Sequence, residues 1–184
     1  MKSRNFYTAV SVAVASASLL LGAVSFGATK DQIDERVQNT LVQFDQLNPI
    51  NQDLVARAKG ILVFPRVTKG GAGVAGEFGE GALRVKGQNV GYYSLSSASV
   101  GLTLGVAKHE EIIMFMTQEA LDKFTSTKGW AVGADTGVAV LSKGAGGDYD
   151  TKTLQRPILG FVFGEKGLIA DVSLDGSKIS QLNR

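Results

Sequence analysis

The stretch Gly70-Gly71-Ala72-Gly73-Val74-Ala75-Gly76-Glu77-Phe78-Gly79-Glu80-Gly81 constrains this chain more than any other, and it follows the apolar run Ile61-Leu62-Val63-Phe64-Pro65. Within it, Gly71 to Gly76 has the G-x-G-x-x-G spacing of a dinucleotide-binding turn. A Rossmann unit, however, opens a helix at the third glycine and places an acidic residue about 20 positions later. Here the glycines run on into Ala82-Leu83-Arg84-Val85, a strand-like alternation, and no acidic residue stands between positions 90 and 100. The stretch reads as a glycine-rich β region in which strands bulge or approach closely, and no cofactor is expected.

The N-terminus has the layout of a secretory signal peptide. Lys2 and Arg4 precede an uncharged run from Phe6 to Phe26, and small residues line up at Ser25, Gly27 and Ala28. Residues 1–28 are therefore expected to be a leader, cut near Gly27 or Ala28. The rival is an uncleaved anchor, for which the run is about long enough; its frequent Ser, Thr and Gly favour cleavage. The chain has no cysteine, which excludes both disulfides and a lipoprotein anchor through an N-terminal Cys. The expected location is outside the cytoplasm: periplasmic, outer-membrane-associated or secreted.

Without Lys2 and Arg4, 17 basic residues face 17 acidic ones, so the overall basic balance gives no argument for nucleic acid. The distribution says more. Residues 57–86 hold Arg57, Lys59, Arg66, Lys69, Arg84 and Lys86 against Glu77 and Glu80 alone, whereas residues 29–56 are mostly acidic. Such local fields matter more for a partner surface than the sum.

The remaining 156 or so residues suit one domain, 29–184. Ile33, Val37, Leu41 and Phe44 recur at helical spacing, giving an amphipathic first helix. Asn48-Pro49 opens a second helix, expected to end at Gly60. Beyond it the pattern turns to β: Ile61–Phe64, Ala72–Phe78 and Ala82–Val85, then Val90–Leu95 after the turn Lys86 to Asn89. Val100–Val106 and Glu111–Met116 read as a pair joined by Ala107-Lys108-His109-Glu110. Thr117 caps a short helix through Ala120, Leu121 and Phe124. Trp130–Val132 and Val138–Leu141 are strand-like, and Ile158–Phe163 with Leu168–Leu174 forms the clearest hairpin, across Gly164-Glu165-Lys166-Gly167. Asp175-Gly176 then leads to Ser177–Ile179. The fold class is α+β: N-terminal amphipathic helices packed on a curled, mainly antiparallel sheet (a sandwich or partial barrel), with one further short helix.

Enzyme readings find little support. His109 is the single histidine, so neither a Cys–His pair nor a multi-histidine metal site can be assembled. His109-Glu110-Glu111 has the residue types to hold a metal, but reads better as a polar loop between strands; no metal is expected. The serines Ser94, Ser96, Ser97 and Ser99 include no G-x-S-x-G elbow. Asp135-Thr136-Gly137 has the triplet of aspartic proteases, whose chemistry needs two carboxylates sharing a proton; with no second copy, a hairpin turn is expected. Tyr92, Tyr93, Phe115, Trp130, Phe161 and Phe163 sit at strand positions and read as core.

Taken together, Ile61 to Pro65 with Lys69-Gly70-Gly71, Gly79-Glu80-Gly81-Ala82-Leu83, Gly91-Tyr92-Tyr93 and Ser99-Val100-Gly101 resemble the SYLF domain. So do Met114-Phe115-Met116-Thr117 to Phe124, and Lys166-Gly167-Leu168 to Asp175-Gly176-Ser177-Lys178-Ile179. The resemblance runs in order over about residues 31–182. It implies lipid binding, since eukaryotic members bind phosphoinositides, partly through an amphipathic N-terminal helix, and some fungal members bind actin. This chain departs from them in the acidic polar face of its first helix and in its expected export from a bacterium. Phospholipid or a membrane surface is the expected partner, and actin is not expected in that compartment.

The physical route to a headgroup is the basic segment. Arg57 and Lys59 close the second helix, Arg66 and Lys69 flank a loop beyond Pro65, and the amides of Gly70 and Gly71 add donors in a nest-like turn. The alternative is a set of solvated charges, two of them complementing a helix C-terminus. Ile33, Val37, Leu41 and Phe44 likewise have two readings, packing on the sheet or facing a membrane, with packing preferred. The function expected is that of an exported, non-enzymatic lipid-binding module of the envelope. The alternative is a structural or protein-interaction component without lipid specificity, pairing or self-associating through its sheet edges.

Overall fold

The computed structural model describes residues 27–133, 136–141, 149, 151–164, 167–169 and 174–184. Residues 1–26 of the expected leader lie outside the described residues.

Helix α1 (Lys30–Leu47) starts at a capping box: the Thr29 hydroxyl accepts from the Gln32 amide, and the Gln32 side chain accepts from the Thr29 amide. Its apolar residues at spacings of four, four and three form one stripe, and Ile33, Val37, Leu41 and Phe44 are all buried. Asp34 fixes the helix to the sheet by accepting from Asn89 at 2.7 Å and from the Tyr92 hydroxyl at 2.9 Å. Helix α2 (Ile50–Arg57) follows Pro49, with the Asn48 side chain accepting from the Ile50 amide at 3.1 Å. It stops short of the expected Gly60, because Gly60 already opens a strand and the Lys59 amide donates to the Phe115 carbonyl at 2.8 Å.

Strands β1 (Gly60–Val85) and β2 (Gln88–Phe115) form one long antiparallel ribbon, in register from Gly60 opposite Phe115 to Val85 opposite Gln88. Lys86 and Gly87, with φ of 50° and 80°, make the two-residue turn between them. The three separate strands expected over 61–85 are thus one strand. The expected pairing of Val100–Val106 with Glu111–Met116 is not formed, since both segments lie in β2. Ala107 to Glu110, read from their polarity as a loop, continue the ladder, with Thr68 opposite Lys108 and Val67 opposite His109.

Glycines and register shifts fold this ribbon back on itself without ending it. The register slips between Phe64 and Val67 and between Ala72 and Val74. A β-carbon on Gly71 would collide with the main chain of Val74 and Ala75, which marks the corner. Past the corner, one on Gly79 would lie 3.0 Å from Val67 Cγ2, and one on Gly81 would lie 2.8 Å from Phe64 Cδ1 and overlap the Val63 carbonyl. The two halves of β1 therefore cross at main-chain distance, as the glycine-rich stretch leads one to expect.

Helix α3 (Gln118–Thr125) is capped by Thr117, whose hydroxyl accepts from the Ala120 amide at 3.2 Å. Strands β3 (Gly129–Ala131), β4 (Val138–Leu141), β5 (Ile158–Gly164), β6 (Gly167–Leu168) and β7 (Lys178–Leu182) complete the sheet, with the short helix α4 (Thr151–Leu154) before β5. The strand order is β3-β7-β2-β5-β4, with β1 on β2 and β6 on β5; β4 runs parallel to β5 and every other pairing is antiparallel. The long β2 serves both ends, pairing β7 through Tyr92–Ser96 and β5 through Glu110–Phe115. The expected last hairpin is present as β5 and β6, with Phe163 opposite Leu168; Glu165, Lys166 and 170–173 lie outside the described residues. Thr136 and Gly137 (φ 67°) form a turn, the Thr136 hydroxyl donating to the Gly133 carbonyl at 2.6 Å. This turn links β3 and β4, which do not pair, and Asp135 lies outside the described residues.

Two cores result, one on each face of β2. Inside the folded ribbon, Phe64, Tyr93, Leu95, Ile113 and Phe115 pack with α3 and Trp130. On the other face Ile112, Met114, Phe161 and Phe163 pack under α1 and α2. The architecture is the expected α+β arrangement of N-terminal helices on a curled, mainly antiparallel sheet.

Candidate functional site

The cations expected to form one site come from different elements: Arg57 from the end of α2, Lys59 from the link beyond it, and Arg66 and Lys69 from β1. Arg57 is exposed and pairs with Asp53 at 2.8 Å within α2. Lys59 is exposed just beyond that helix. Lys69 lies ten residues further on, up to about 30 Å along an extended strand, and its ammonium sits 2.9 Å from Glu77 Oε1. No nest-like turn forms at Gly70 and Gly71: both lie in β1, opposite Val106 and Gly105, and neither has a positive φ. The ladder that continues past Pro65 takes up the segment read as a loop.

Arg66 shares a groove instead with Arg36. The two belong to β1 and α1 and line one groove of about 190 Å³ with Pro65, Thr68, Phe78 and Glu80. The pairing follows from α1 packing across the ribbon: Ile33, one turn before Arg36, is buried and lines the same groove. Among the described residues neither guanidinium has an ion-pair or hydrogen-bond partner. Glu80, the one acidic lining residue, is engaged by the Arg184 guanidinium and by the Ala28 amide at 2.8 Å. The Phe78 ring, 53 % exposed, supplies an apolar wall. The two guanidiniums and the Thr68 hydroxyl can take a phosphate or carboxylate by charge-assisted hydrogen bonds, and Phe78 can cover an apolar portion of the same ligand. Arg36 escapes the sequence reading because it sits in the acidic first-helix segment, 30 residues from Arg66.

A second groove, between α2 and the β1–β2 turn, has Arg84 and Lys86 above Leu41, Val55, Ala58 and Ile61. It gathers two more cations of the basic segment against an apolar floor. At the bent end of the ribbon Val74 and Val106 are 62 % and 74 % exposed, with Lys108 beside Val106 also exposed. The apolar stripe of α1 is packed on the sheet in this conformation.

The interior of the fold holds a polar cluster where a loop was expected. His109 and Glu111, two residues apart on β2, point to the same side, and His109 Nε2 lies 2.9 Å from Glu111 Oε1. Both are buried, as is Glu77 from the far half of β1, which accepts from the Ser97 hydroxyl at 2.8 Å and pairs with Lys69. Burial pushes the Glu111 carboxyl above the usual carboxylate range, against the pull of His109.

Residues 96–184 match the family described as Ysc84, Las17-binding protein actin regulator. That is the SYLF domain which the sequence resembles, and the match begins within β2. No curated protein matches the chain.

Proposed function

We propose, from a chain whose residues 96–184 match the Ysc84 (SYLF) family, that this protein is an exported, non-enzymatic module of a bacterial envelope that binds anionic lipid. Its place is the periplasm, the outer membrane or, by secretion, the exterior, reached through the leader at residues 1–28. The observation that carries the reading is the groove that Arg36 and Arg66, without ion-pair partners among the described residues, line together with the exposed Phe78. Two guanidiniums suit a phosphate headgroup, and an adjoining aromatic suits the glycerol or the first methylenes of a chain. Arg84 and Lys86 add attraction to an anionic surface, about 1 kcal/mol for each basic residue close to it. No described helix is long and apolar enough to span a bilayer.

The competing reading is a protein-interaction component. It draws on the exposed Val74 and Val106 at the bent end of the ribbon, and the family description, which names Las17 binding and actin regulation, supplies a precedent for protein partners. Co-sedimentation with neutral and anionic vesicles across a salt series separates the two. Binding that needs anionic lipid and fades with salt supports the headgroup site, whereas no binding to either vesicle, with self-association or a stable protein partner, supports the competitor.

A further inference from the structure

We infer that Glu77, His109 and Glu111 form a binding site for a first-row divalent metal ion, with Zn²⁺ the reference ion. This inference is independent of the lipid reading. One ligand atom from each of the three residues lies within 4.8 Å of the others, and all three residues are buried. An imidazole with two carboxylates is a donor set that suits Zn²⁺ and its neighbours more than Ca²⁺ or Mg²⁺, which take oxygen ligands throughout.

A second observation points the same way. The Glu111 side chain is fully buried, its Oε1 meets His109, and among the described residues its Oε2 has no hydrogen-bond partner. An unsatisfied carboxylate oxygen in the interior is costly, and a metal ion ligated by this carboxylate offers it a partner. The fold explains why the donors meet. Glu77 comes from the half of β1 beyond the Gly71 corner, while His109 and Glu111 come from the part of β2 paired with the half before it. A metal bound to all three ties the folded ribbon together, in the manner of a structural metal clip.

Lys69 is the competitor. Its ammonium sits 2.9 Å from Glu77 Oε1 and is the most exposed charge of the cluster, so it neutralises Glu77 when no metal is bound and can swing outward when one is. The Ser97 hydroxyl holds the other Glu77 oxygen at 2.8 Å and orients it.

The test exploits a chain with one histidine and no cysteine. Zn²⁺ and Co²⁺ are titrated into tag-free, chelator-stripped protein, followed by calorimetry, by the visible bands of Co²⁺ and by the NMR signals of the single imidazole. The expected result is one saturable site, a shift of the His109 resonances at one equivalent, and a raised melting temperature. His109→Gln is expected to lose this binding, and Lys69→Met to tighten it by removing the competing cation. If His109→Gln does not fold, the wild-type imidazole signals and the Lys69→Met affinity decide. The inference is overturned by no saturable binding to the wild type, by binding that leaves the His109 signals unmoved or persists in His109→Gln, or by weaker binding in Lys69→Met.

Discussion

Gly81 lies against the main chain of Val63, so close that a β-carbon on the glycine would overlap the Val63 carbonyl oxygen and come within 2.8 Å of the Phe64 ring. This contact lets the two halves of β1 cross face to face and close the inner core. Gly81→Ala is expected to cost at least about 1–3 kcal/mol, the usual penalty of overpacking where the obstacle is main chain. Gly76→Ala, whose β-carbon meets nothing closer than the Ser97 carbonyl at 3.9 Å, is expected to stay within about 0.5 kcal/mol of wild type. Urea midpoints of the two variants check the contrast.

Phe44 anchors α1 to the sheet through an edge-on contact with Phe161 at 4.8 Å and a tilted one with Phe163 at 5.6 Å. Phe44→Ala is expected to lower stability by about 3–5 kcal/mol. Arg57→Gln removes only an exposed pair within one helix and should change stability by less than about 0.5 kcal/mol. Equal effects in chemical denaturation would contradict the packed position of α1.

Tyr93 gives an alkaline signature. Burial raises its phenol above the ordinary value, so the folded state binds the proton more tightly than the unfolded chain. Its contribution is complete below the unfolded pKa of about 10 and is lost as pH rises through the higher folded value. Stability should fall more steeply on the alkaline side in the wild type than in Tyr93→Phe, as read from thermal melts across that range.

Local signals in the sequence were legible because their causes are local. The stripe of Ile33, Val37, Leu41 and Phe44 and the Thr117 cap each depend on residues a few positions apart and stand where they were expected, and the turn expected over Lys86 to Asn89 is present, shortened to Lys86-Gly87. The continuity of β1 and β2 was hidden, because glycines that end strands in short hairpins here permit a corner and a close crossing. The same continuity turned Ala107 to Glu110 from a loop into ladder and put His109 and Glu111 inside. The groove shared by Arg36 and Arg66 left no trace in the spacing, since it depends on how α1 lies across the ribbon. By contrast, Arg57 and Lys69, both in the basic segment, are each taken up by an acidic partner, Asp53 and Glu77.

The most direct test of the lipid-binding account is charge reversal in the groove. Arg36→Glu combined with Arg66→Glu should reduce binding to anionic vesicles at least tenfold, equivalent to about 1.4 kcal/mol or more, while leaving binding to neutral vesicles and the thermal melt nearly unchanged. Arg57→Glu, outside the groove, should retain most of the affinity. Full anionic binding by the double variant, or equal loss in Arg57→Glu, would contradict the assignment of the groove as the headgroup site.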